Sequence, residues 1–154
     1  MSDLLIKNVR VLDGQPTEIL IRNGRIAGIG ADLDGAGAAV EDAGGRIALP
    51  GLTEAHTHLD KSLLGYPWYH NDVGGGNLMA MIDNERQMKQ RLDLDPHVQS
   101  MRHALQTASF GATLIRSHVD IDTTGGLRAL EGVMETAEKL ADVVEIQTVA
   151  FPQS

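Results

Sequence analysis

His56-Thr57-His58 sets two imidazoles two residues apart, and on a strand residues i and i+2 point to the same face, where both can reach one ion. Neutral imidazole is the usual nitrogen ligand for zinc and other borderline divalent metals. With 6 histidines in 154 residues, the spacing alone equally suits two ordinary polar residues at a strand end. Arg116, His118 and Asp120 repeat the alternation, so three ionisable groups share one face of a later strand and, if that face is the inside of a barrel, need to pair with one another. They read as groups that surround metal ligands or line a pocket, or else as a salt-bridged strand end. Asp60 and Asp120 each have the chemistry to fix the tautomer of a neighbouring ligating histidine.

Other chemistries are excluded. The chain has no cysteine, which removes disulfide scaffolds, thiol nucleophiles and zinc sites built from one His and two Cys. Gly74-Gly75-Gly76 lacks the Lys-Ser/Thr of a phosphate loop, and no Gly-x-Ser-x-Gly is present. With 13 Lys+Arg against 21 Asp+Glu the formal charge is −8, so no nucleic-acid or anionic-membrane partner is expected. There is no run of about 18 apolar residues and no basic-then-apolar leader, which makes a cytoplasmic location the expectation.

The elements that must position these groups are legible in outline. Residues 1–49 read as a small β-meander, with Leu5, Val9 and Val11 on one parity, Ile19 and Ile21 on another, Asn23-Gly24 as a two-residue hairpin turn and a short strand near Ala39–Glu41. Pro50-Gly51 marks a boundary, and residues 50–154 alternate strands with amphipathic helices, the pattern of βα units on a parallel sheet. Strands are expected at about 51–58, 112–118 and 143–151. A helix from near Asn77 would bury Leu78, Met81, Ile82 and Met88. A second, capped by Asp95 with Pro96 at its first position, would bury Val98, Met101, Leu105 and Ala108 and end at Gly111. A third, about 126–141, would bury Leu127, Leu130, Val133, Ala137 and Leu140. The fold class expected is α/β, and against the roughly 250 residues of a closed (β/α)₈ barrel the three units are about three eighths of one. The chain is therefore expected to be the N-terminal part of a larger protein, with a small complete α/β domain as the alternative.

The stretch from Ile47 to Asp60, with Leu49-Pro50-Gly51 and His56-Thr57-His58, preceded by a β-rich segment with an Asn-Gly hairpin, resembles the amidohydrolase superfamily of metal-dependent hydrolases. Arg116-Ser117-His118-Val119-Asp120 and Phe151-Pro152-Gln153 are similar to strand ends of its cytosine deaminase branch. The resemblance implies the first three βα units of a TIM barrel behind a β-sandwich segment. It implies one divalent metal, Fe or Zn, with His56 and His58 as two of its ligands. It also implies a substrate-binding Gln153 that hydrogen-bonds a pyrimidine-like ring, with Leu78 lining the same pocket; without the resemblance Gln153 is a solvated residue. The remaining ligands and acid/base groups of the family come from later strands, so no catalytic residue is assigned in this chain, and residues 1–154 alone are expected to be inactive.

The activity so implied is hydrolysis or deamination of the C–N bond of a small, cytosine-like heterocycle through metal-activated water. Lys61 directly after His-Leu-Asp, and Tyr66-Pro67-Trp68-Tyr69-His70 in the following loop, depart from the cytosine deaminase pattern. That keeps open an amidohydrolase acting on an alkylamino-triazine or cyclic amide, and a non-catalytic binding protein that retains the fold. Expected partners are the heterocyclic substrate, the C-terminal remainder of the barrel and further copies in a homo-oligomer.

Overall fold

The computed structural model describes residues 3–12, 14–70, 73 and 77–153, which form two compact units joined at Pro50 and Gly51. In the first unit, β1 (Leu4–Val11), β2 (Pro16–Arg22) and β3 (Arg25–Gly30) form an antiparallel meander. Asn23 and Gly24 take φ of 51° and 73°, the left-handed pair that a tight two-residue hairpin requires. Two short strands run parallel to β1: β4 (Ala39–Asp42), where a short strand is expected, and β5 (Ile47–Ala48), which the sequence does not suggest, so the unit is more than a meander. Among its described residues Leu5, Val9 and Ile19 are the buried apolar ones.

The second unit is α/β. Its sheet has the order β6-β7-β8, all parallel, from β6 (Leu52–Thr57), β7 (Ala112–Ile121) and β8 (Glu145–Pro152). Between β6 and β7 come α1 (Leu78–Arg91) and α2 (Pro96–Ser109), and between β7 and β8 comes α3 (Arg128–Lys139). The glycine run at 74–76 lies outside the described residues. Helix α2 starts as its sequence requires: Asp95 accepts a hydrogen bond from the Val98 amide at 3.0 Å, and Gly111 follows its end with φ 95°.

The core lies where α2 and α3 cover one face of β7: Ile115 and Val119 pack with Ala104, Val133, Leu140, Val144 and Leu59. At the α2–α3 contact a Cβ on Gly132 would stand 2.8 Å from the His97 amide nitrogen and 2.9 Å from Pro96 Cβ, so only glycine permits this approach. A buried Ser100–Thr136 hydroxyl pair at 2.6 Å, extended to His97 Nδ1 at 2.9 Å, closes the same seam.

Several expected core positions are corrected. Val98 and Leu105 of α2 are exposed while Gln99, Ser100 and Ala104 are buried, because Gln99 and Ser100 satisfy their polar groups inside the fold. Leu127 precedes α3 and is exposed, and Leu78 and Met81 of α1 are exposed, leaving Met88 as that helix's only buried residue among those described. Strand β7 runs three residues past its expected end, which brings Asp120 within the strand. Among the described residues no helix is long and apolar enough to cross a membrane.

Candidate active site

The site is built on the face of the parallel sheet that α2 and α3 leave free. In β7 the alternation is strict: Ile115, Ser117 and Val119 are buried toward the helices, and Arg116, His118 and Asp120 occupy the other face. Thr57 pairs with Ser117 and Ser117 with Thr148, and the Leu59 amide donates to Ser117 Oγ at 3.1 Å, so the chain leaving β6 stays beside β7. This register brings the histidines together. His56 stacks on His118 with ring centroids 4.1 Å apart, His58 lies 5.8 Å from His56 and 6.1 Å from His118, and Phe151 of β8 meets His58 and His118 edge-on at 5.8 and 6.1 Å.

His58 and His118 each bury an Nδ1 that has no hydrogen-bond partner. Burial holds the His58 pKa below its ordinary value, and the Lys61 charge adds to the effect, so its imidazole is neutral at neutral pH and keeps a lone pair for an electrophile. Asp120 Oδ1 stands 3.7 Å from His58 Nδ1, beyond hydrogen-bond distance, so it acts on the ring through its charge, which favours the protonated form against burial. The donor chemistry suits a borderline divalent ion. Among the described residues, however, no three His, Asp or Glu side chains converge on one point, so a complete coordination sphere needs further ligands.

Two carboxylates sit behind the imidazoles with opposite character. Asp60 is buried, and burial together with the neighbouring Asp120 charge pushes its pKa up to about 6, although its Oδ2 accepts the Asp120 amide at 3.4 Å. For Asp120, burial works toward a higher pKa but is outweighed by hydrogen bonding with Glu85 and Lys61 and by the charges of Lys61 and Lys89, which hold it at about 2. Lys61 Nζ donates to Asp120 Oδ2 at 3.0 Å and to both Glu85 oxygens at 2.9 and 3.0 Å, and Lys89 Nζ donates to Asp120 Oδ2 at 3.1 Å. These cations come from the segment after β6 and from α1. From sequence, Lys61 stands out only as a departure from the cytosine deaminase pattern, and Lys89 does not stand out on its own. Glu85 and Lys89 carry a readable signal, an i,i+4 acid–base pair on one helix, but nothing in the sequence says which strand they face.

Arg116, expected to pair within its own strand, turns instead to Gln147 of β8 and donates to its Oε1 at 2.9 and 3.2 Å. The network on this face thus forms between strands and with α1. Leu78 and Gln153, far apart in sequence, line one cavity of ≈ 580 Å³ with Tyr69, Met81, Ile82 and Phe151. A second cavity of ≈ 380 Å³ is lined by Asp60, Arg86, Lys89, Asp120, Asp122 and Arg128.

No family model matches the chain. It is 32% identical over 162 residues to the N-isopropylammelide isopropyl amidohydrolase of Pseudomonas sp. (strain ADP), across 99% of this chain and 39% of that protein. The crystal structure of N-isopropylammelide isopropylaminohydrolase from Burkholderia multivorans superposes with a TM-score of 0.91 at 48% identity, over 100% of this chain and 38% of that one. An atrazine chlorohydrolase from Arthrobacter aurescens, solved in complex with zinc, is alike in fold, with a TM-score of 0.66 at 20% identity over 96% of this chain and 35% of its own. The chain thus spans about two fifths of the length of the first two relatives.

Proposed function

This chain belongs to the amidohydrolase superfamily, and from that premise we propose that it forms part of a longer enzyme that hydrolyses the C–N bond joining an alkylamino group to a small nitrogen heterocycle of the triazine or cyclic-amide class. In this reading residues 50–154 supply the first three βα units of a (β/α)₈ barrel, and residues 1–49 supply part of a β-sandwich. His56 and His58 are two ligands of one divalent ion, zinc or iron. When bound, such an ion lowers the pKa of water so that hydroxide can be delivered at neutral pH. The chain's own residues do the rest of what is assigned here. Asp120 places a negative charge 3.7 Å from His58 Nδ1, Lys61 and Lys89 keep Asp120 ionised, and Gln153 meets the polar edge of the substrate ring with an amide that both donates and accepts. Leu78 lines the same cavity. The site is one of a cytoplasmic homo-oligomer.

The observation that carries the reading is the meeting of His56 and His58, at the end of β6, with His118 of β7, with burial holding the His58 pKa down. The alkylamino substrate is preferred to cytosine because the two relatives that match over 99% and 100% of the chain, at 32% and 48% identity, are named for N-isopropylammelide, and because the cavity next to Gln153 has an apolar wall. In the full-length enzyme, His56→Ala should remove most of the bound metal, read by elemental analysis. It should also lower kcat/KM for N-isopropylammelide by about a thousandfold or more. Unchanged metal content would overturn the ligand assignment, and turnover of cytosine in preference to N-isopropylammelide would overturn the substrate.

A further inference from the structure

Arg86 is the cation of α1 that reaches the substrate side of β8. Its Nη2 donates to the backbone carbonyl of Gln153 at 2.5 Å, its Nη1 donates to Asp83 at 3.3 Å, and its buried Nε lies 3.8 Å from Asp122 Oδ2 without a hydrogen bond. Asp122 is itself fixed, since its Oδ1 accepts the Thr124 and Gly125 amides at 2.7 Å each. The Gln153 amide donates to the Ile121 carbonyl at 2.9 Å. Both polar groups of the Gln153 main chain are therefore held, one by β7 and one by the guanidinium. The helix that carries Arg86 also carries Leu78, Met81, Ile82 and Met88, the apolar wall of the cavity that Gln153 and Phe151 close.

We propose that Arg86 is a positioning residue for substrate selection: its bond to the Gln153 carbonyl sets the span between the amide that reads the ring and the apolar wall that faces the ring's substituent. The inference rests on the reading of Gln153 as the group that meets the ring. A planar guanidinium suits the task because it addresses Gln153, Asp83 and Asp122 in fixed directions, which the single ammonium of lysine does not reproduce. Arg86→Lys should therefore keep the charge and lose the register.

The test uses the full-length enzyme, with N-isopropylammelide and its analogue lacking the isopropyl group as substrates. Arg86→Gln should raise KM for the alkylated substrate by about tenfold, change kcat by less than about threefold, leave metal content unaltered and narrow the preference between the two substrates. Gln153→Ala should narrow the same preference, and the double variant should be no worse than Gln153→Ala alone, because Arg86 acts through that residue. If Arg86→Gln lowers thermal stability but leaves KM and the preference as in the parent, the residue is a brace and the proposal falls. Should that variant not fold, Arg86→Lys decides in the same way: a narrowed preference supports the proposal and an unchanged one overturns it. If Gln153→Ala leaves the preference intact, the reading of Gln153 fails and this inference fails with it. If only the Arg86 variants are silent, the reading of Gln153 survives.

Discussion

Helices α1 and α2 are both 14 residues long, and they are attached to the same sheet by different physics. Helix α2 buries Gln99, Ser100 and Ala104, crosses α3 at Gly132 and adds Ala104 to the core on β7. Helix α1 buries Met88 alone and is fastened by charge: Glu85 to Lys61 beyond β6, Lys89 to Asp120 of β7, and Arg86 to the Gln153 carbonyl beyond β8. The two faces of β7 follow the same division. Area removed from water stabilises in proportion to its amount and with little regard to direction. Charged contacts contribute little net stability at the surface but constrain where each atom can be. The side covered by α2 and α3 is mainly apolar, with a few buried hydroxyls and one amide satisfied inside it, and the side that carries His118 and Asp120 is held by charged contacts.

That division breaks first where the core is touched. Val133 is fully buried between α3 and β7, and Val133→Ala should cost about 2 kcal/mol of unfolding free energy, by lost transfer energy and a partly unfilled cavity. Metal bound per folded molecule should not change. Denaturant titration with elemental analysis of the folded fraction checks both, and loss of metal at unchanged stability would mean that the two faces are not separate.

A smaller effect is expected on the polar side. Glu85→Gln removes the carboxylate that Lys61 grips, yet the Glu85 side chain is 34% exposed, so global stability should fall by less than about 1 kcal/mol. The change should appear locally, as faster amide hydrogen exchange across residues 78–91 and none across 96–109. Added salt should move α1 of the parent protein the same way, because ion pairs are screened and a packed core is not. Equal response of the two helices to salt would contradict the comparison.

What the sequence made legible follows from the same contrast. Local rules that act within a few residues held: Asp95-Pro96 starts a helix, Asn23-Gly24 turns a hairpin, and strand alternation puts Arg116, His118 and Asp120 on one face. The buried stripe of α2 was misplaced because apolar periodicity counts Val98 and Leu105 but cannot see that Gln99 is satisfied by the Ser62 carbonyl at 2.6 Å, or Ser100 by Thr136. For α1 the reading supplied an apolar stripe where charges do the fastening. The approach of His56 to His58 is legible from two residues of spacing at a strand end, although β6 stops at Thr57 and His58 lies just beyond the strand expected to hold both. The contacts of Lys61 and Lys89 with Asp120, of Lys61 with Glu85 and of Arg86 with the Gln153 carbonyl are not legible, since they join groups far apart in sequence that meet only in the folded unit.

The smallest effect concerns a titratable group on α2. His103 is half-buried with an Nδ1 that has no partner, and burial pushes its pKa below the ordinary histidine value while the Glu54 charge opposes this more weakly. The unfolded chain takes up its proton near the ordinary value, about 6.5, whereas the folded chain resists until the pH is lower. Between those two points the unfolded state binds more protons, so stability is fully present above the ordinary value and is lost as pH falls through the folded one. His103→Gln removes the titration and can still form hydrogen bonds. Denaturation midpoints for parent and variant, taken from about pH 7.5 down to about pH 5.5, should therefore fall more steeply for the parent, by the smallest of the three margins. Salt should leave the difference nearly unchanged, because its cause is desolvation rather than a screened pair. Parallel curves would show that His103 does not couple α2 to pH. A steeper fall in the variant would reverse the sign of the argument and place His103 among the charged contacts that distinguish α1.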